Sequence, residues 1–233
     1  MPIGFAFIIT LSAAILWLRL NDFLAEKKII SNKLSRKIIH IGTGPIFVLC
    51  WLLFPETQIS RLVAAIIPFL ISIQFLLVGI GVIKDKASVD AMSRTGDPKE
   101  ILFGPLFYGI VFVLITIIFW KDSLVGIIAL MILCGGDGIA DIVGRRVNSR
   151  QLPWSNHKTV VGSLGMFFGG FIFSFLISLV FITTLNMQIG IGVLVIRLIF
   201  INIVATLVES LPVKDIDNLT VPLIAILMGL LLF

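Results

Sequence analysis

Charge is scarce in this chain. Asp, Glu, Lys and Arg make up 13% of its 233 residues, about half the ~25% of an average soluble domain. A water-soluble globular fold is excluded on that ground, because 58% of the residues are hydrophobic and the mean hydropathy is +1.14. Intrinsic disorder, which requires low hydrophobicity, is excluded by the same numbers. Strict alternation of apolar and polar residues, the mark of a membrane barrel, is missing from the long apolar runs. Cysteine is nearly absent: Cys50 and Cys134 both lie in apolar stretches and offer neither a disulfide framework nor metal-ligand spacing. No basic segment precedes the first apolar run, so neither a cleaved signal peptide nor a transit peptide is expected.

What the chain does have is apolar spans. Eight are read, at 2–20, 38–54, 62–83, 101–120, 123–136, 159–182, 187–208 and 219–233. A helix needs ~20 residues to cross a bilayer, and helix is the default because an isolated strand leaves its backbone unsatisfied in lipid. The fold class expected is therefore all-α: one polytopic membrane helix bundle over 1–233, with about eight transmembrane helices (seven possible). Fifteen basic residues fall in the connections after spans one, three, five and seven, whereas the three others hold only Arg61 and Lys121. That alternation is a positive-inside pattern and predicts both termini on the non-cytoplasmic side. It also accounts for the net charge of +5, so no nucleic-acid partner is inferred. Arg197 lies within span seven and is expected to face the bundle interior or to find a partner.

The polar clusters all fall on the basic side. A transporter needs access from both faces and polar residues at the midplane, so a one-sided enzyme is favoured. Five clusters carry the chemistry. In Arg36-Lys37-Ile38-Ile39-His40, Arg36 and His40 share a helix face. Membrane anchoring explains the two cations; an imidazole inside a span points to a site. In Arg94-Thr95-Gly96-Asp97-Pro98-Lys99-Glu100, Asp97 before Pro98 reads as a helix cap, which leaves Arg94, Lys99 and Glu100 crowded at the membrane edge. In Gly135-Gly136-Asp137-Gly138-Ile139-Ala140-Asp141, two carboxylates four residues apart repel unless a cation lies between them. Mg²⁺, or another divalent cation, accepts one or two carboxylates plus phosphate oxygens. Capping would explain Asp137 but leaves Asp141 without a role, and the following Arg145 and Arg146 double as anchors. Lys158-Thr159 at a helix start suits phosphate, although P-loop spacing is absent. The last cluster joins Glu209, at the end of an apolar span, to Asp217 and Asn218, either of which would serve as a helix cap.

Paired carboxylates, cations and glycines at one membrane face are the equipment of Mg²⁺-assisted phosphoryl or nucleotidyl transfer. The stretches Arg36-Lys37-x-x-His40, Ser93-Arg94-x-Gly96-Asp97-x-x-Glu100, Gly104-Pro105-Leu106-x-Tyr108, Gly136-Asp137-Gly138-x-Ala140-Asp141-x-x-Gly144-Arg145-Arg146, Lys158-x-x-x-Gly162-Ser163, Glu209-Ser210-Leu211-Pro212 and Asp217-Asn218-Leu219-Thr220-Val221-Pro222 follow one another in that order. In this the chain resembles the phytol kinase and farnesol kinase family, more distantly related to dolichol kinases. The resemblance covers residues 36 to 222. It implies a CTP-dependent kinase that phosphorylates a prenyl alcohol taken from the bilayer, releases CDP, and serves phytol salvage towards tocopherol.

On that resemblance the expected roles are as follows. Asp137 and Asp141 hold the metal. Arg36, Lys37, His40, Arg94, Lys99, Arg145, Arg146 and Lys158 face the CTP phosphates. Glu209 or Asp137 accepts the hydroxyl proton, and Asp97, Glu100, Thr159, Asp217 and Asn218 are further candidates. The family's plant members carry a plastid transit peptide, whereas this chain opens directly into a span. A bacterial, cyanobacterial membrane is therefore expected, with the site on its cytoplasmic side. The alternatives are a CTP:phosphatidate cytidylyltransferase-like enzyme, which would release pyrophosphate, and a small membrane transporter. Oligomeric state is not legible.

Overall fold

The computed structural model describes residues 1–93, 95–212 and 216–233, with the side chains of 22, 32, 33, 87, 90, 91 and 156 excepted. The helices are α1 (Ile3–Glu26), α2 (Asn32–Cys50), α3 (Gln58–Gly79), α4 (Lys86–Met92), α5 (Gly104–Ile118), α6 (Leu124–Met131), α7 (Gly138–Arg146), α8 (Val160–Thr184), α9 (Ile191–Glu209) and α10 (Asp217–Leu232). A short antiparallel hairpin, β1 (Gln151–Leu152) with β2 (Ser155–Thr159), joins α7 to α8. Among the described residues, seven helical runs are long and apolar enough to cross a membrane, and α10 is a shorter apolar helix beside them. The all-α membrane bundle read from hydropathy is the fold found.

One boundary differs in a way that matters. The 123–136 run looked too short to span. It continues as Leu124–Arg146, because a π-helical turn over Ile132–Asp137 links α6 to α7 without a break. Such turns insert a residue into the α-helical ladder and are frequent at functional sites. Asp137 consequently lies inside a continuous helical run and makes no capping bond. This run is the bundle's central post, since every residue of α6 is buried. α2 lies close against it. A Cβ on Gly44 would collide with Cys134 Sγ, and one on Gly138 would collide with Ile41, so the two glycines permit the close approach.

The two sides of the bundle differ in what their basic residues do. Arg61 and Lys121, the isolated basic residues of the opposite face, are spent on backbone. The Arg61 guanidinium donates to the Ile117 carbonyl (3.2 Å) at the end of α5. The buried Lys121 ammonium donates to the Phe54 carbonyl (2.8 Å). Cations suit helix C-termini, where carbonyls are left over. Arg197, the seventh residue of α9, finds a partner: its guanidinium lies 4.7 Å over the Phe233 ring. Cation–π contact of this kind compensates a partly desolvated charge.

The inner ends of α1 and α10 meet at one polar face, where Glu26, Lys28, Asp217 and Asn218 line a common cavity. Both chain termini therefore lie at the other face. Reporters fused ahead of Met1 and after Phe233 are expected to score on the same side of the membrane, and a reporter inserted near Asn148 on the opposite side. A split between the two terminal reporters would contradict this topology.

Candidate active site

Between α1, α2, α3, α5 and α7, a cavity of about 1580 Å³ opens at the polar face. Its mouth is charged and its depth is apolar. The charges arrive on facing helices whose spacings match. Lys37 and His40 on α2 are three apart; Asp137 and Asp141 are four apart on the π-turn and α7. Lys37 Nζ pairs with Asp141 Oδ2 at 3.2 Å, and His40 Nε2 lies 3.4 Å from Asp137 Oδ2. Numbers rise on one helix as they fall on the other, as antiparallel neighbours require. His40 Nε2 also lies 3.2 Å from the Leu133 carbonyl oxygen. Both neighbours accept, so Nε2 carries a proton. Asp141 has a second partner in Arg145, at 2.6 Å.

A second cluster closes the other side of the mouth. Lys158, at the end of β2, forms an ion pair with the buried Glu209 of α9 and lies 3.4 Å from Asp217 of α10. Burial by itself would push the Lys158 ammonium down, but the Glu209 carboxylate, its hydrogen bond and then Asp217 and Asp137 outweigh it and hold it above the ordinary lysine value. Lys158 is therefore a fixed positive charge at neutral pH. The hairpin that carries it is pinned in place: the Trp154 indole N–H donates to the Ser210 carbonyl (3.2 Å), and the Lys158 N–H donates to Ser155 Oγ (3.3 Å).

Of the residues singled out by sequence, the cavity gathers Arg36, Lys37, His40, Glu100, Asp137, Asp141, Arg145, Lys158, Thr159, Glu209, Asp217 and Asn218. Three stand apart from it. Arg146 and Lys99 are exposed beyond the mouth, and Asp97 is an exposed cap that accepts from the Lys99 N–H (2.9 Å). Arg94 lies outside the described residues. Several of the gathered residues already have local work. Arg36 donates to the Ser93 carbonyl (3.1 Å) and so ties α2 to the segment after α4. Thr159 Oγ1 caps α8 through the Gly162 N–H (3.1 Å). Asn218 does not cap α10; its amide donates to the Gly104 carbonyl (2.9 Å) and fastens α10 to α5. Asp217, read as a possible cap, faces Lys158 instead.

Tyr108, legible in the sequence only as the last residue of its motif, lines the cavity as well. Its hydroxyl lies 3.0 Å from the His40 carbonyl and 3.0 Å from Cys134 Sγ, and its ring lies 4.6 Å from that of His40. It is the chain's one tyrosine, and a polar group in an otherwise apolar helix was the available signal. The carboxylates also proved less exposed to mutual repulsion than their spacing suggested, because Lys37 and Arg145 pair with Asp141 and the His40 ring lies against Asp137. Among the described residues no three His, Cys, Asp or Glu side chains form a metal cluster. Two hard carboxylates one turn apart still suit a Mg²⁺-like ion whose remaining ligands are water and phosphate oxygens.

A scan of protein-family models finds no match, and no solved structure matches the chain. Curated plant proteins do. "Probable phytol kinase, chloroplastic" of Triticum aestivum is 38% identical over 99% of this chain and 77% of its own length. "Probable phytol kinase 2, chloroplastic" of Oryza sativa subsp. japonica is 40% identical over 97% of the chain and 74% of its own length. "Farnesol kinase, chloroplastic" of Arabidopsis thaliana is 40% identical over 90% and 69%. These relatives correct the expectation of a bacterial membrane, since each is named as a chloroplastic protein and comes from a plant. Hydropathy and loop charge report that a chain crosses a bilayer and in which sense, and carry no mark of the organelle. With a matched pair of charge clusters around a half-apolar cavity, and identity that runs nearly end to end, the chain belongs to the phytol kinase and farnesol kinase family of prenyl alcohol kinases.

Proposed function

We propose that this protein transfers the γ-phosphoryl group of CTP to a prenyl alcohol, phytol foremost, and releases CDP and the prenyl monophosphate. The observation that carries this is the two-natured cavity: cations and carboxylates at the mouth, apolar walls below. An amphipathic alcohol and a nucleotide from the aqueous phase would meet at that boundary. The relatives' names support the alcohol class, and the resemblance in the ordered motifs supports CTP as donor and the salvage role towards tocopherol.

The roles follow from position. Lys37, Arg145, Arg36 and Lys158 surround the mouth, where they would neutralise phosphate oxygens. Asp141 and Asp137 are the residues that would hold a divalent cation, whose chemistry is to offset charge on the transferring phosphoryl group. Glu209 is held by Lys158 and keeps that ammonium aimed at the mouth. Of the two base candidates, Asp137 is then the better placed. It borders the apolar part beside His40 and Tyr108, where an alcohol hydroxyl would sit, and His40 orients its carboxylate. Positioning of this kind supplies most of the rate in phosphoryl transfer.

Membranes containing the protein, γ-labelled CTP or ATP and a panel of prenyl alcohols test the reading. Label in the organic phase with phytol and CTP is the expected result. Label from neither nucleotide would remove the kinase assignment, and transfer of CMP to phosphatidate would replace it with the cytidylyltransferase reading.

Asp141→Asn should lower kcat by on the order of 100-fold or more while insertion and yield hold; unchanged turnover would exclude the cation role. Lys158→Met leaves Glu209 buried without its partner, a change that typically costs about 3–5 kcal/mol. A clear fall in melting temperature is expected, and Lys158→Met/Glu209→Gln should recover most of it without recovering activity. Recovery of both would make the pair a structural element only.

A further inference from the structure

An aromatic column descends from the charged mouth into the bundle. The His40 and Tyr108 rings lie 4.6 Å apart, Tyr108 and Phe112 4.7 Å, and Phe112 and Phe47 5.8 Å. The cavity follows this column and ends with it. At its deepest level it is lined by Phe47 and Phe112, with Thr10 of α1 and Ile67 of α3 beside them, all four buried. Below that level two indoles pack together. Trp51 meets Phe47 at 6.0 Å and Trp120 at 5.1 Å, both indoles are buried, and among the described residues neither lines the cavity. Tyr108, held at its hydroxyl by the His40 carbonyl and Cys134, makes the wall above the floor rigid.

We propose that the Phe47–Phe112 pair is the floor of the prenyl-chain subsite and sets the longest alcohol the enzyme uses efficiently. The proposal rests on the prenyl alcohol reading and goes beyond it by naming where chain length is measured. The occupant is the substrate's own tail, because the groove is continuous with the mouth where its hydroxyl reacts. From His40 to Phe47 is seven residues, about 10 Å of helix, so a four-unit tail such as phytol's must bend within the groove between the reacting hydroxyl and the rings, and the space left for further units is set by how far the rings reach. A tail with further units must displace packed rings, which close-packed interiors resist. A shorter tail leaves apolar surface uncovered and loses binding.

The test compares kcat/KM for geraniol, farnesol, geranylgeraniol and a longer polyprenol within each preparation, so that any loss of folded protein cancels in the ratios. Phe47→Ala and Phe112→Ala should raise the ratio of the longest alcohol to farnesol by about tenfold or more, the scale of pocket discrimination for small apolar groups. Ala14→Phe on the α1 wall, one turn nearer the mouth, should move the preference towards geraniol. Length profiles that superimpose on wild type in all three variants would overturn the proposal. A prenyl alcohol with a diazirine at its far end gives a readout independent of turnover. Crosslinks at Phe47, Phe112 or Thr10 support the floor even if no kinase activity is found, in which case only the kinase reading falls. Crosslinks confined to the lipid-facing side of α8 or α9 refute it whatever the activity.

Discussion

Opposite charges held inside an apolar bundle are the constraint from which the rest follows. Asp137 and Asp141 lie on the most deeply buried helical run, and an unpaired carboxylate there is expensive. Lys37 and His40 repay that cost from α2, and they can do so only because Gly44 and Gly138 let α2 close on the post. The register of α2 against α7 is thereby set by charge as much as by packing. A one-turn slip would leave two carboxylates, the Lys37 ammonium and the His40 ring without their partners.

From that contact the geometry spreads outward. Arg36, one residue before Lys37, reaches the carbonyl of Ser93 and fixes the segment that leads to α5. α5 carries Tyr108 to the far side of His40, and Asn218 ties the start of α5 to α10. α10 in turn brings Asp217 to Lys158, whose hairpin rests on the end of α9 beside Glu209. Each of these polar groups thus answers a second one on another element, and the pairs follow one another around the mouth of the cavity. The residues proposed to handle phosphate are thus also the ones that tie the helices together.

The basic residues illustrate how one residue type serves two ends. Those of the polar face orient the chain in the bilayer and line the mouth. Arg61 and Lys121 on the opposite face instead satisfy carbonyls at helix ends. A count of loop charges sees only the first role. Arg197 shows the same limit: it looks stranded within a span, yet the Phe233 ring from the end of the chain lies under its guanidinium.

Hydropathy determined the number and course of the spans, and loop charge determined that both ends share a face, because lipid sets the length and the charge bias of any crossing helix. The four-residue spacing of Asp137 and Asp141, and the order of the motifs from Arg36 to Pro222, pointed to the face on which the charged cavity opens and to the family the chain resembles. Tertiary structure alone decided what those residues touch. The π-turn that extends the short fifth run to Arg146 lies packed against α2 and α8, and no local propensity announced it. The pairing of Lys158 with Glu209, the exclusion of Lys99, Asp97 and Arg146 from the mouth, and the ring pair at the cavity floor join residues far apart in the chain. Sequence periodicity reports the face of a helix on which a side chain lies; which other helix that face meets, and at what depth, is settled only when the helices pack.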